Sequence, residues 1–393
     1  MIIGIAGAGM GGLTAAIMLA RDGHRVVLHD RMTKPGPVGS GFVLQPTGLA
    51  VLEDLGLRTA IEEHGAVITR MLGLVRPSGR TVLDVGYPEG ANGLAVQRTA
   101  LFDVLMTAAM DAGVVFETSR TIVGVGDDRR SFVMDDLSTT PRFDLLVDSM
   151  GSGSPLRTCR SRQLSYGAIW ATVHWGAANG FDPHTLEQRY RGASRMAGIL
   201  PVGTTDHDSD ARATFFWSVR QDEDPRRDVA EWHETIAGIW PEVLPFLEGA
   251  DPVLARYRHH THARPVEDGI VRIGDAFHST SPQLGQGANM ALIDAIALRT
   301  ALRRGSDIDE ALASYVASRR LHVAFYQALS VILTPFYQSD SRMLPILRDH
   351  VIAPLQRRRG IVHAMIAAMV TGGVLDPVGR ATRQGGKGTN GRP

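Results

Sequence analysis

The residues with the plainest capacity for chemistry stand at the start of the chain, as Gly7-Ala8-Gly9-Met10-Gly11-Gly12. The spacing is G-x-G-x-x-G. It follows a short apolar run, Met1 to Ala6, and opens a stretch, Leu13 to Asp22, whose apolar residues recur at helical intervals. In that context Gly7 permits a tight turn, Gly9 lets backbone approach a pyrophosphate, and Gly12 lets the helix pack closely on the strand. The helix N-terminus then faces a diphosphate with free N–H groups and partial positive charge. A second strand, Arg25 to His29, ends at Asp30, whose carboxylate can accept from ribose hydroxyls. The motif calls for a dinucleotide and leaves FAD and NAD both open.

A second constellation lies near residue 275. An apolar strand, Ile270 to Ile273, ends at Gly274-Asp275. It is followed by Pro282-Gln283-Leu284-Gly285-Gln286-Gly287-Ala288-Asn289 and a helix, Ala288 to Arg303. This is another helix N-terminus offering backbone donors, with a carboxylate placed to hold a polyol hydroxyl. A pyrophosphate on one helix end and a ring at a second glycine turn is how FAD would lie extended, so FAD is the expected cofactor.

Together these motifs resemble the aromatic-hydroxylase-like FAD-dependent monooxygenases, typified by para-hydroxybenzoate and salicylate hydroxylases. The family pattern G-D-A-A-H-x-x-x-P-x-x-G-x-G-x-N…D-A is matched from Gly274 to Asn289 and at Asp294-Ala295, with Phe277 replacing the second alanine. The likeness covers most of the chain, including the segment Gly41 to Pro46 and Arg98 before its helix. It implies that Asp275 contacts the ribityl or diphosphate region, that Gly285 to Asn289 runs beside the isoalloxazine ring, and that Arg98 reaches the phosphate or ribityl chain. The expected cofactor set is Gly7, Gly9, Met10, Gly11, Gly12, Asp30, Arg31, Val43, Arg98, Val123, Asp275, Gly285, Gly287, Ala288 and Asn289.

The resemblance further implies transient reduction by NADH or NADPH and reaction with O2 to a C4a-hydroperoxide. One oxygen atom then enters an aromatic or polyketide-like small molecule. No second G-x-G-x-x-G follows an apolar strand run, as expected of a family without a separate nicotinamide domain. One departure stands out. The family's G-A-D-G-x-x-S-x-V-R segment corresponds to Asp148-Ser149-Met150-Gly151-Ser152-Gly153-Ser154-Pro155-Leu156-Arg157, with Met150 at the aspartate. A thioether accepts only weak hydrogen bonds, which puts the electron donor in question; Asp148, on the same strand face, is a candidate substitute. A related flavoprotein reductase or oxidase, and a catalytically silent flavin-binding protein, are the alternative readings.

The flavin would carry the chemistry, leaving the protein to supply a dry pocket and orientation. The catalytic candidates are Pro282, expected to line the ring face where oxygen is activated, and His278. His278 and Tyr190 could assist deprotonation of a phenolic substrate. Trp170, Tyr190, Phe216 and Pro282 form the expected substrate set. Strand alternation puts Tyr166, Trp170 and His174 on one face, Ile169, Val173 and Trp175 on the other, and Phe215 and Trp217 opposite Phe216. Which face meets the pocket is left open.

These sites need two packed layers to position them, and 393 residues, 44% of them hydrophobic, suffice. The expected fold is α/β: a Rossmann-like FAD-binding domain, an inserted, mostly antiparallel substrate sheet, and C-terminal helices. The expected divisions are 1–70, 97–162 and 265–330 for the FAD-binding domain, and 71–96 (a hairpin) and 163–264 for the substrate domain. Residues 331–379 are helical, with a disordered tail over 380–393. Leu329 to Asp340 is expected to pack on the FAD domain. Lys+Arg and Asp+Glu are 41 each, so nothing in the overall charge argues for nucleic acid or a membrane surface. The single cysteine, Cys159, excludes an internal disulfide and a multi-cysteine metal site, and no metal is expected. The absence of a targeting or spanning segment points to the cytoplasm. A small-molecule substrate is the expected partner, and a homodimer is left open.

Overall fold

The structure, a computed structural model, describes residues 1–34, 41–176, 180–206, 208–357 and 361–374. The Gly/Pro-rich loop from Pro35 and the tail from Arg380 lie outside the described residues.

Five strands run parallel in the order Ile270–Arg272, Leu145–Asp148, Ile2–Ala6, Arg25–His29 and Val115–Glu117; Val266–Glu267 adds an antiparallel edge. The central strand has the apolar sequence IIGIA, without alternation, because both its faces are covered. The helices Met10–Arg21, Arg98–Asp111 and Gly287–Arg304 pack together over one face. Phe132, Phe143, Ile122 and Leu146 cover part of the other. This is the Rossmann-like layer expected from the opening motif.

The second layer is a seven-stranded sheet. Its order is Val253–Ala255, Tyr166–His174, Asp208–Arg220, Arg195–Thr205, Thr185–Arg191, Arg70–Val75 and Arg80–Gly86. Only the Thr185–Arg191 and Arg70–Val75 pair is parallel. Alternation sorts its aromatics. Ile169, Ala171, Val173, Phe215 and Trp217 pack against Trp232, Ile236 and Trp240 at the helix Val229–Ala237. Trp170, Phe216 and Tyr190 gather on the opposite face. A small sheet, Phe42–Leu44 with Gly93–Val96 and Ala66–Ile68, lies between the two layers in sequence.

One expectation is corrected in the C-terminal region, where the helix Ile308–Tyr337 runs across residue 330. The stretch after Leu329 does not bury its apolar residues uniformly: Val331 and Ile332 are 56% and 61% exposed.

The glycine turn depends on a very close backbone approach. A Cβ on Gly12 would stand 2.0 Å from the Gly7 carbonyl oxygen and 2.5 Å from Ser149 Oγ, whereas one on Gly9 would meet nothing nearer than 4.0 Å. Gly12→Ala should therefore destabilise the apoprotein by about 2 kcal/mol or more in chemical unfolding, as overpacking against rigid backbone does. Gly9→Ala should leave apoprotein stability within about 0.5 kcal/mol, the range of an unobstructed substitution.

Candidate functional site

The opening turn is locked from beneath. Gly7 adopts φ +100°, and a Cβ there would meet the Ser149 carbonyl oxygen at 2.7 Å. The Ser149 hydroxyl lies 2.7 and 2.8 Å from the carbonyl oxygens of Ala6 and Gly7, fixing the strand-to-turn step. Ser149 went unnoticed in the sequence because nothing in its spacing marks a clamp. The helix Met10–Arg21 begins at Gly9 with no side-chain cap, so its first N–H groups are free to face a ligand. Asp30 accepts from the Ala8 amide at 2.8 Å and the Met32 amide at 2.8 Å, one on each oxygen. Each oxygen keeps a lone pair that a ribose hydroxyl could use. Arg31 is exposed and Met10 half-buried beside this turn. The Arg120 amide approaches the Asp30 carbonyl, which brings the strand bearing the exposed Val123 to the same side.

The second turn repeats the arrangement. Gly274 and Gly285 have φ of +58° and +62°, and the helix Gly287–Arg304 also starts without a side-chain cap. The two helix ends are neighbours, since a Cβ on Gly11 would lie 3.3 Å from that of Ala291. Gly285 is exposed, and Gly287, Ala288 and Pro282 are partly open. Asp275 is accessible to solvent yet enclosed by protein, and this burial raises its carboxyl above the usual range against the pull of His278 and Arg98. Arg98 answers it: burial lowers its guanidinium, while Asp275 and Tyr257 raise it. Arg98 lies 5.3 Å from the Phe42 ring, and its buried Nε has no hydrogen-bond partner. A buried guanidinium with an unpartnered nitrogen, coupled to a nearby carboxylate, suits a phosphate or polyol beside them.

Three expected site residues take other positions. Asn289 does not offer its side chain to a cofactor. Its Oδ1 accepts from the Gln45 amide at 2.8 Å, and its Nδ2 donates to the carbonyls of Val43 and Gly285. It ties the small sheet to the second turn, and Gly48 makes room for it, because a Cβ there would stand 2.2 Å from Asn289 Oδ1. The Val43 side chain is buried in the core, leaving only its backbone to this region. Asp148 does not replace the missing motif aspartate. It is wholly buried, accepting from the Ser154 hydroxyl at 2.7 Å and the Met150 amide at 3.1 Å, while Met150 packs on the adjoining apolar cluster.

His278 is likewise turned away from any proton-transfer role at its Nε2, which sits 2.7 Å from Asp294 Oδ2. Asp294 is the hub of a buried network. It accepts from the Gly274 amide at 2.7 Å and from Arg319 Nε at 2.6 Å. Burial opposes its charge, but His278 and Arg319 prevail and hold its carboxyl below the usual range. Arg319 also reaches His322 at 3.0 Å, an imidazole that burial pushes down to about 3 and keeps neutral.

The substrate candidates separate in the same way. Trp170 and Phe216 pack as tilted rings with centroids 5.2 Å apart, and Trp170 Nε1 donates to the Tyr257 hydroxyl at 2.6 Å. Tyr257 thereby links the aromatic face to Arg98 and Asp275. It was missed because it lies between two weak strand signals, outside any motif. Tyr190 belongs to the same cluster but is buried beneath Arg348, and its hydroxyl donates to Gln188 Oε1 at 2.7 Å. Burial raises that phenol well above its ordinary range.

A family model described as an FAD binding domain matches residues 1–327. The chain is 27% identical over 347 residues to the FAD-dependent urate hydroxylase of Mycolicibacterium vanbaalenii, covering 81% of this chain and 84% of that protein. It is 30% identical over 380 residues to the probable 2-heptyl-3-hydroxy-4(1H)-quinolone synthase AqdB2 of Rhodococcus erythropolis, covering 91% and 92%. Among solved structures, Klebsiella pneumoniae HpxO complexed with FAD and uric acid matches with a TM-score of 0.80 at 22% identity, over 95% of this chain and 98% of that one. The tetrameric form of 2-methyl-3-hydroxypyridine-5-carboxylic acid oxygenase matches with a TM-score of 0.77 at 21% identity, over 92% and 97%.

Removing the charge of Asp294 should leave Arg319 buried without its carboxylate. Asp294→Asn is expected to cost about 3–5 kcal/mol in urea unfolding, the range for breaking one side of a buried pair. His278→Asn, which keeps a donor near Asp294, should cost less than half as much.

Proposed function

This chain belongs to the FAD-binding domain family as a flavin-dependent monooxygenase, an oxidoreductase, and we propose that it uses NADH or NADPH and O2 to oxygenate an aromatic or heterocyclic small molecule. The observation that carries this reading is two uncapped helix N-termini held side by side, next to a run of residues that leads from Asp275 and Arg98 through Tyr257 to the Trp170–Phe216 face. Hydroxylation of urate and formation of a hydroxyquinolone by its relatives both favour a planar heteroaromatic substrate.

The residues present fit FAD. The amides after Gly9 would hold the diphosphate and Asp30 the adenosine ribose. Arg98 and Asp275 would take the ribityl and phosphate side, and the amides at Gly287 and Ala288 the ring end. When bound, FAD supplies the redox chemistry, accepting two electrons from the nicotinamide and passing one oxygen atom of O2 to the substrate. Trp170 and Phe216 exclude water from the substrate's side of the site. Tyr257 accepts from Trp170 and keeps its own proton to donate, and burial raises its pKa so that it stays a neutral donor. It would orient a carbonyl or phenolate oxygen of the substrate, with Pro282 lining the approach to the ring.

The engagement of Asp148 with Ser154 leaves Met150 without a carboxylate standing in for the motif aspartate, which favours a second reading, a flavoprotein that is poorly reduced. Anaerobic absorbance near ~450 nm, the flavin band, separates the two. Bleaching by NADH or NADPH, accelerated by a member of a heteroaromatic library, is the expected result. A flavin that neither nucleotide reduces, with or without the library, would favour the second reading.

A further inference from the structure

The second half of the helix Ile308–Tyr337 carries its polar residues inward. Val331 and Ile332 face outward, while the opposite side presents Gln327, Ser330, Thr334 and, where the helix closes, Gln338. Intervals of three and four set these residues on one face. Hydrogen bonds locate both ends of the polar stripe. Ser330 Oγ accepts from Thr280 Oγ1 at 2.5 Å, beside the turn Pro282–Leu284 against which the helix packs. Gln338 Nε2 donates to the carbonyl of Gly167 at 3.4 Å, on the strand that carries Trp170. The stripe therefore runs from the loop before the second glycine turn to the aromatic sheet.

Most of its polar atoms are unused. Gln327 is 6% exposed, yet neither its Oε1 nor its Nε2 has a hydrogen-bond partner among the described residues. The same holds for Thr334 Oγ1, Gln338 Oε1 and, in the adjoining loop, Ser281 Oγ. Pro335 adds to this, since it has no N–H to bond the carbonyl of Val331. Buried polar groups are normally paired, and a carboxamide bare at both ends is costly to keep inside a protein. A leucine would fill similar space without that cost.

The chemistry of the occupant follows from the carboxamide. It sets an acceptor oxygen and a donor nitrogen side by side in one plane. Its complement is a flat group with a donor next to an acceptor, and a ring amide, N–H beside C=O, is the simplest. A carboxylate would leave Oε1 facing another acceptor, and an ether or bare ring nitrogen would engage one atom only. We propose that Gln327 is a specificity-determining residue that recognises the lactam edge of a heteroaromatic substrate through two parallel hydrogen bonds. Thr334 and Gln338 line the same face. The assignment rests on the oxygenase reading above and narrows its substrate to ring amides.

The test is equilibrium binding to the full-length, flavin-loaded protein in its oxidised state, read from perturbation of the flavin absorbance. The probes are 2(1H)-quinolone, its N-methyl derivative, which lacks the donor, and quinoline, which lacks both the donor and the carbonyl. 2(1H)-Quinolone should bind at least about tenfold more tightly than either, the effect of leaving a buried group unpaired. Gln327→Met keeps the length of the side chain and removes both polar atoms. Its preference should fall to about twofold or less, with quinoline binding and flavin content unchanged and a melting temperature equal to the parent's or higher. Equal binding of the three probes by the parent, or binding of none, overturns the proposal and leaves water as the occupant of the stripe. A preference that survives Gln327→Met also overturns it, because the bulk of the methyl group would then be the cause. The parent series needs no variant, so a misfolded variant does not remove the test. No nicotinamide is added, so a flavin that NADH and NADPH fail to reduce would count against the oxygenase reading without altering these affinities.

Discussion

Two helices in this fold begin at glycine turns without a side chain to satisfy their first amides, and the rest of the layer is arranged to hold these two helix ends side by side. Such amides must find water or a ligand, and their dipoles favour an anion. The constraint explains several distant features. Ser149 holds the Gly7 turn from below, Gly11 lets the second helix approach, and Gly48 admits the Asn289 amide that anchors the second turn. Each is a small residue or a short hydroxyl placed where bulk would separate the two helix ends.

The second helix end is held by charge as well as by packing. Asp294 sits inside the layer, yet it accepts from the Gly274 amide at the Gly-Asp turn and joins His278 to Arg319. A buried carboxylate of this kind contributes less to net stability than to geometry, because its desolvation offsets much of its attraction. Its effect is to fix where Asp275 emerges. From there Arg98, Tyr257 and Trp170 lead to the aromatic face of the second sheet, so the two layers are joined by a run of polar contacts.

The sequence made the architecture legible wherever a local period or a glycine spacing had a single physical solution. The parallel strands, the opening turn, the second turn and the alternation of Trp170 against Ile169 all follow from such patterns. Side-chain destinations were less readable. Asn289 and His278 stand within the motif but point into the framework, and Tyr190 shares the aromatic face yet is capped by Arg348. Tyr257 and Ser149, which matter to those contacts and the turn, follow no spacing rule, because their partners lie far away in the chain. The apolar residues after Leu329 lie within a helix, and composition alone does not say that Val331 and Ile332 face the exterior.

The central claim is that one extended dinucleotide engages both helix ends. The most direct measurement is the affinity of the apoprotein for FAD and for FMN, which carries the flavin ring, the ribityl chain and one phosphate but lacks the adenosine half. If the Gly9 turn holds the diphosphate and Asp30 the ribose, FAD should bind at least about a hundredfold more tightly, the equivalent of one or two charge-assisted hydrogen bonds. Equal affinities would contradict the account, leaving the opening glycine turn without a part in holding the flavin.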